Sequence, residues 1–336
     1  MKEPAEPRAR AGPGGAASRP DQTAEPTPGQ TADPGAQAFP ADADRLMRLA
    51  TYASVTTASI LIAIKLIAWL YTDSVSLLST LLDSVLDAFA SIVNLLAVRH
   101  SLTPADREHR FGHGKAEALA ALGQATFISG SALFILAMAL HRLWTPVPLA
   151  HTEFGIGIMA FSIVATFFLT RFQAYVVRNT GSLAIEADAL HYVGDLLVNG
   201  SVIVALLLVS HLGWTWADPV FGLAIAGYIL LNAYRIGRGA LDMLMDRELP
   251  DEDRERIKEI VRAHPKVIDM HDLRTRASGR DTFIQIHLEL DGKMSLLSSH
   301  RISDEVEAAL LDAFPGAEVI IHQDPHGLEE PRASFG

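Results

Sequence analysis

Four residues in the apolar middle of the chain have the types and the spacing of a metal cage. Asp83 and Asp87 stand four apart in one apolar stretch, and His191 and Asp195 stand four apart in another. On an α-helix, residues four apart share one face about one turn from each other, so each stretch presents a matched pair of ligands. Turned toward one another, the pairs offer three carboxylates and one imidazole. That mixed set suits Zn²⁺ in tetrahedral geometry and admits Fe²⁺, Cd²⁺ or Mn²⁺ less selectively. The chain has no cysteine, which excludes disulfides and thiolate sites and makes soft Cu(I) a poor fit. Asp188 shares a stretch with His191 but not the four-residue spacing, and ranks below the other four.

Three ionised carboxylates cannot share a desolvated site without a counter-charge, so an empty cage takes up protons and a filled one releases them. His191 is the natural coupling residue, because an unperturbed imidazole titrates at about 6.5. The expected chemistry is exchange of a divalent metal for protons at a site that opens alternately to two sides. Pairing of the acids with Lys65 would explain isolated buried charge, but not two matched spacings.

Elements long enough to hold such residues in a membrane are present. Apolar stretches lie at about 48–71, 76–99, 117–143, 154–177, 185–211 and 217–240, each near the roughly 20 residues that cross a hydrocarbon core as helix. An ionisable group there costs at least about 2.5–3.5 kcal/mol, which makes each one a functional candidate. Arg45, Arg48, Arg99, Arg107, Arg110, Lys115, Arg178, Arg235 and Arg238 gather on one side and Arg142 on the other, so both termini are expected in the cytoplasm. Residues 1–44, rich in Pro, Ala and Gly, read as a disordered tail. No apolar segment follows Lys2, Arg8 and Arg10 as a signal peptide would require. The six-helix domain is expected over 45–245, a soluble domain over 246–326 and a short tail over 327–336. The net charge of −11 argues against a nucleic-acid partner.

The soluble part reads as αββαβ: a charged helix over 251–263, strands at 267–277 and 282–290 around a Ser278-Gly279-Arg280 turn, a helix over 297–313 and a last strand ending at His322. Alternation of Ile284, Ile286, Leu288 and Leu290 with Gln285, His287 and Glu289 buries one face, and Ile302, Val306, Leu310 and Leu311 mark the stripe of the second helix. Two helices on one face of a three-stranded sheet follow. His271, His287, His300 and His322 each fall on one of these elements, with Gln323 and Asp324 following His322, and together they favour a regulatory metal site. In the polar loop after the second stretch, Asp106, His109 and His113 are spaced by three and four. They form either a zinc site completed by water or an ordinary polar loop, and spacing does not choose between them. His100, His141, His151, His211, His264 and His326 have no partner in the pattern and are read as structural.

Several segments resemble the cation diffusion facilitator family, in particular its bacterial branch of ferrous-iron and zinc efflux pumps. They are Leu82-Asp83-Ser84-Val85-Leu86-Asp87, Phe111-Gly112-His113-Gly114-Lys115-Ala116-Glu117 and Ala187-Asp188-Ala189-Leu190-His191-Tyr192-Val193-Gly194-Asp195 in the membrane part. His271-Asp272-Leu273-Arg274-Thr275-Arg276, Ile284-Gln285-Ile286-His287-Leu288-Glu289 and Ile320-Ile321-His322-Gln323-Asp324-Pro325 carry it through the soluble part. The resemblance implies six transmembrane helices followed by a cytoplasmic ferredoxin-like domain. It also implies a proton-coupled antiporter in the bacterial inner membrane, and a homodimer embedded in lipid. Asp83, Asp87, His191 and Asp195 would be the transport site, and Asp106, His109 and His113 an interface site. His271, His287, His300, His322 and Asp324 would hold a binuclear centre that tightens the dimer. Leu190 would be an apolar gate, and Lys115 with Asp246 a charge pair joining subunits. Zn²⁺ or Fe²⁺ would serve as cargo and as structural ligand, with no organic cofactor. A manganese exporter is less suited to an imidazole ligand, and a metal sensor that does not transport would leave the intramembrane charges without a task. An intramembrane metalloprotease would require a His-Glu-x-x-His helix that is absent from the sequence.

Overall fold

The computed structural model describes residues 42–72, 75–144, 153–214 and 216–327. Six helices come first: α1 (Ala43–Thr72), α2 (Val75–Ser101), α3 (Lys115–Trp144), α4 (Glu153–Thr180), α5 (Leu183–Leu212) and α6 (Ala217–Leu244). All six are long and apolar enough to cross a bilayer. Helix α1 begins at Ala43, inside the stretch expected to be tail; most of that tail, and nearly all of the C-terminal one, lies outside the described residues.

Small side chains decide how closely these helices approach. Ala118, Ala125, Ala132 and Ala139 recur at seven-residue intervals on α3, Ala226, Ala233 and Ala240 on α6, and all are buried. A methyl group added at Gly222 of α6 would stand 3.0 Å from Ala139 Cβ. Such seams let helix backbones pack at short range where lipid offers no hydrophobic drive. Helix α5 lies against this pair, and a Cβ at Gly194 would come within 3.1 Å of Ile229 Cδ1. The first turn of α5 is fixed twice: Ser182 Oγ accepts from Ile185 N at 3.3 Å, and the buried Glu117 of α3 accepts from Ala184 N at 3.4 Å. Both contacts satisfy donors that a helix start leaves open.

The second part comprises α7 (Asp251–Arg262), β1 (Asp269–Ser278), β2 (Asp281–Leu290), α8 (Leu296–Ala313) and β3 (Ala317–Pro325). The strand order is β1-β2-β3, with β1 antiparallel and β3 parallel to β2. A parallel neighbour requires a crossover, and α8 supplies it. Ile257, Val261, Ile302, Val306 and Leu310 close over Ile284, Ile286, Leu288 and Leu290, so both helices cover one face and leave the other open. Two details differ from the sequence reading. Strand β3 continues past His322 to Pro325. Leu311 is 37% exposed, because it lies about 100° around the helix from Leu310.

The loop between α2 and α3 rests on the β1–β2 hairpin. A Cβ at Gly114 would stand 2.1 Å from the carbonyl oxygen of Ser278, so only glycine fits there. The Arg276 guanidinium lies 4.7 Å from the Phe111 ring centre and 4.6 Å from that of Phe283. Lys115 Nζ and Arg276 Nη1 both reach Asp246 Oδ1, at 2.8 and 3.3 Å. The Lys115–Asp246 pair therefore forms within one chain. Partial burial opposes ionisation of Asp246, but the hydrogen bonds from Lys115 and Arg276 outweigh it and hold the carboxyl below its ordinary range.

Candidate metal centres

Helices α2 and α5 bring the intramembrane acids and the imidazole together. His191 Nε2 lies 2.9 Å from Asp87 Oδ1 and 3.8 Å from Asp195 Oδ2, and one ligand atom from each residue falls within 4.8 Å of the others. Their side chains are not sealed: His191 is 10%, Asp87 22% and Asp195 40% exposed. They border a cavity of about 630 Å³ whose wall also includes Asp83, Leu86, Phe127 and Leu190. Asp83 is the exception among the four expected ligands. It lines the same cavity but does not join the three-residue cluster. It stands a full turn along α2 from Asp87, whose oxygen already meets the imidazole. Lys65 Nζ donates to Thr80 O at 3.2 Å and Ser84 Oγ at 2.6 Å, so its hydrogen bonds go to neutral oxygens of α2.

Asp188 behaves differently. It is fully buried, and donors from three other helices converge on it: Ser54 Oγ at 2.5 Å, Gln173 Nε2 at 2.7 Å and Gln124 Nε2 at 3.1 Å. These occupy three of the roughly four lone-pair sites of a carboxylate. Nearby, Tyr192 OH meets Ser91 Oγ at 2.8 Å. The sequence reading found Asp188 but not Ser54, Gln124 or Gln173, since nothing local relates polar residues so far apart in the chain.

The loop residues Asp106, His109 and His113 do converge. Asp106 Oδ1 accepts from the backbone N of His109 at 2.6 Å and of Glu108 at 2.8 Å. The backbone bond from His109 is the main reason its carboxyl is held below the usual range. Asp106 Oδ2 lies 3.4 Å from His113 Nε2, and Asp106 Oδ1 3.4 Å from His109 Nδ1. His113 is buried, and its Nδ1 lies 3.3 Å from Thr103 O. Donation to that carbonyl leaves Nε2 free to bind a metal, the arrangement usual for metal-binding histidines. His100, expected to stand alone, has its ring centre 4.5 Å from that of His113.

On the open face of the sheet, strand register does what helical spacing does in the membrane. His271 pairs with His287 and His287 with His322, so three imidazoles form a row across β1, β2 and β3. Asp324, two residues on and therefore on the same face, lies 2.8 Å from His287 Nδ1, 3.3 Å from His271 Nε2 and 3.1 Å from His322 Nε2. One ligand atom from each of His271, His287 and Asp324 lies within 4.8 Å of the others. A bulge follows His271, where Asp272 takes φ +48°. His300 does not join: it sits 3.7 Å from Asp304 on α8, about 200° around that helix from Ile302, which faces the core. Gln323 also points away, donating to Ser303 Oγ at 2.9 Å on the helix-covered face. Two residues of this face, Glu289 and His326, were missed. Glu289 lies between His271 and His326, at 3.0 and 2.8 Å, and its place two residues after His287 could have revealed it. His264, also read as structural, meets Glu305 at 2.9 Å.

Comparison with known proteins agrees with this architecture. Residues 51–245 match the family model described as the cation efflux transmembrane domain, and residues 249–326 match that of the cation efflux protein cytoplasmic domain. The chain belongs to the cation efflux family. It is a multi-pass membrane transporter of metal cations and not an enzyme. It is 50% identical over 281 residues to the cation-efflux pump FieF of Salmonella choleraesuis strain SC-B67, covering 84% of this chain and 93% of the relative. The FieF of Salmonella newport strain SL254 matches to the same extent. Among solved structures, the metal-bound C-terminal domain of the CzcD transporter from Thermotoga maritima is 31% identical, covering 23% of this chain and 91% of that one at a TM-score of 0.22.

Proposed function

We propose that this efflux transporter exports Zn²⁺ or Fe²⁺ from the cytoplasm in exchange for protons. It would act as a homodimer in the bacterial inner membrane, with both termini cytoplasmic. The observation that carries this reading is the meeting of Asp87, His191 and Asp195 at a cavity within the helical bundle. One imidazole with carboxylates suits zinc and ferrous iron better than harder or softer ions. Asp83, on the same cavity wall, is assigned as the fourth ligand, and Leu190 as the apolar gate beside His191. Metal and protons compete for the same lone pairs, and that competition couples their movements.

The loop and sheet clusters are assigned as binding sites that are filled from the cytoplasm and regulate rather than carry cargo. His271, His287, His322 and Asp324 occupy a sheet face with no helix over it, which suits closure by a second copy, and His300 would take part only in such an assembly. The membrane domain is assigned to residues 45–245, extended at its start to Ala43 where α1 begins, and the soluble domain to 246–326. The test is initial Zn²⁺ uptake into proteoliposomes containing a zinc-sensitive dye, with and without an opposing pH gradient. Saturable uptake accelerated by the gradient is expected, with Fe²⁺ and Mn²⁺ ranked in the same assay. Uptake indifferent to the gradient would remove the proton coupling, and binding without flux of any of the three metals would remove export.

A further inference from the structure

We propose that Glu289 is a positioning residue for the metal cluster on the open sheet face, acting on His271 and itself held by His326. The proposal rests on the reading of that cluster as a metal site. Glu289 follows His287 by two residues on β2 and so shares its face. It pairs in register with Asp269 on one side and Asp324 on the other, and its side chain is only 12% exposed. Its two oxygens are divided between two rings: Oε1 lies 3.0 Å from His271 Nδ1 and Oε2 lies 2.8 Å from His326 Nδ1. His326 is in turn tied down by its backbone, whose N donates to Leu290 O at 2.7 Å.

The consequence falls on the opposite edge of the His271 ring. An imidazole gives a metal one nitrogen, and a carboxylate at the other nitrogen fixes its tautomer, orients its plane and strengthens it as a donor. With Glu289 at Nδ1, His271 presents Nε2 to Asp324, 3.3 Å away, on the side where the candidate ligand atoms cluster. Nδ1 is buried yet makes no aligned hydrogen bond, so the ring is in place without being locked. His326, two residues beyond Asp324, keeps Glu289 from turning into the cluster as a ligand.

The test uses the full-length protein carrying Asp195→Asn and His113→Ala, which leaves the sheet cluster intact, with Co²⁺ followed by its visible absorption. Glu289→Gln is expected to weaken Co²⁺ binding by about 10- to 100-fold while keeping the band intensity that reports coordination number. His326→Ala should weaken it less, in the same direction. On a His271→Ala background, Glu289→Gln should have no further effect, because the positioning acts through that ring; a persistent effect would mark a general structural role and overturn the proposal. Unchanged affinity in Glu289→Gln overturns it as well, and so does a fall in coordination number, which would make Glu289 a ligand. A parent that binds no Co²⁺ overturns the metal reading of the cluster and the proposal together.

Discussion

Helix α5 carries two acidic centres, one at Asp188 and the other about two turns on at Asp195, and they are built on opposite principles. Asp188 is buried and receives three neutral donors, from Ser54, Gln124 and Gln173. Among the described contacts, Asp87 and Asp195 meet chiefly His191, at 2.9 and 3.8 Å, and border a cavity. A carboxylate whose lone pairs are filled by protein donors has little left to offer an ion. One that faces an imidazole and open space is under-satisfied until something positive arrives. The capacity to bind metal therefore lies not in buried charge as such but in which lone pairs the surrounding helices leave free. By the same measure Asp188 is a structural node joining α1, α3, α4 and α5, and the cage is the part that can exchange its partners.

The comparison can be broken most sharply at the cage. Asp195→Ala is expected to reduce metal flux in proteoliposomes to the rate of protein-free vesicles, with folding retained as judged by gel filtration; flux near wild type would remove Asp195 from the site. Asp188→Ala should act on stability instead. It takes the acceptor from buried Ser54 and Gln124 and leaves Gln173 only Ser54 Oγ, at 2.9 Å, at about 1–3 kcal/mol for each donor left open before relaxation, so its thermal unfolding midpoint should fall well below that of Asp188→Asn, which keeps an acceptor oxygen. Equal midpoints would show that the node does not hold the bundle.

His287→Ala, in the centre of the imidazole row, is expected to abolish metal binding by the sheet domain but to slow flux only several-fold. Complete loss of flux would make that cluster part of the transport path. The smallest effect belongs to Asp246→Asn, chosen because asparagine tolerates the φ of +54° found there. The Lys115–Asp246 pair is about 36–42% exposed, so less than about 1 kcal/mol is expected at neutral pH. Because the folded-state pKa of Asp246 is depressed, its contribution is present above the unfolded value of about 3.9 and disappears as pH falls through the folded one. The difference between wild type and variant, followed by unfolding at stepped pH, should vanish in acid; a difference that grows as pH falls would reverse the sign.

What could be read from the sequence follows the range over which each pattern acts. Helical spacing joined His191 to Asp195 and Asp83 to Asp87, and strand alternation put His287 on the uncovered face, because both are set by local backbone geometry. Pairing between elements was less accessible. Nothing in the chain order announces that Gln173 reaches Asp188, or that His326 returns to Glu289 through the parallel pairing of β3 with β2. Asp83 and His300 show the converse: residue type and pattern nominate them, but within one chain the first lies a turn from the cluster and the second on the outer side of α8.

The most direct test counts metal at the cage. In nanodiscs, a protein with the loop and sheet ligands removed by His113→Ala and His287→Ala should bind one Zn²⁺ per chain by elemental analysis after equilibrium dialysis. Adding Asp195→Asn should bring the count to zero, while adding Asp188→Asn should leave it at one. A count that survives Asp195→Asn, or falls with Asp188→Asn, would contradict the division between an exchangeable cage and a saturated node.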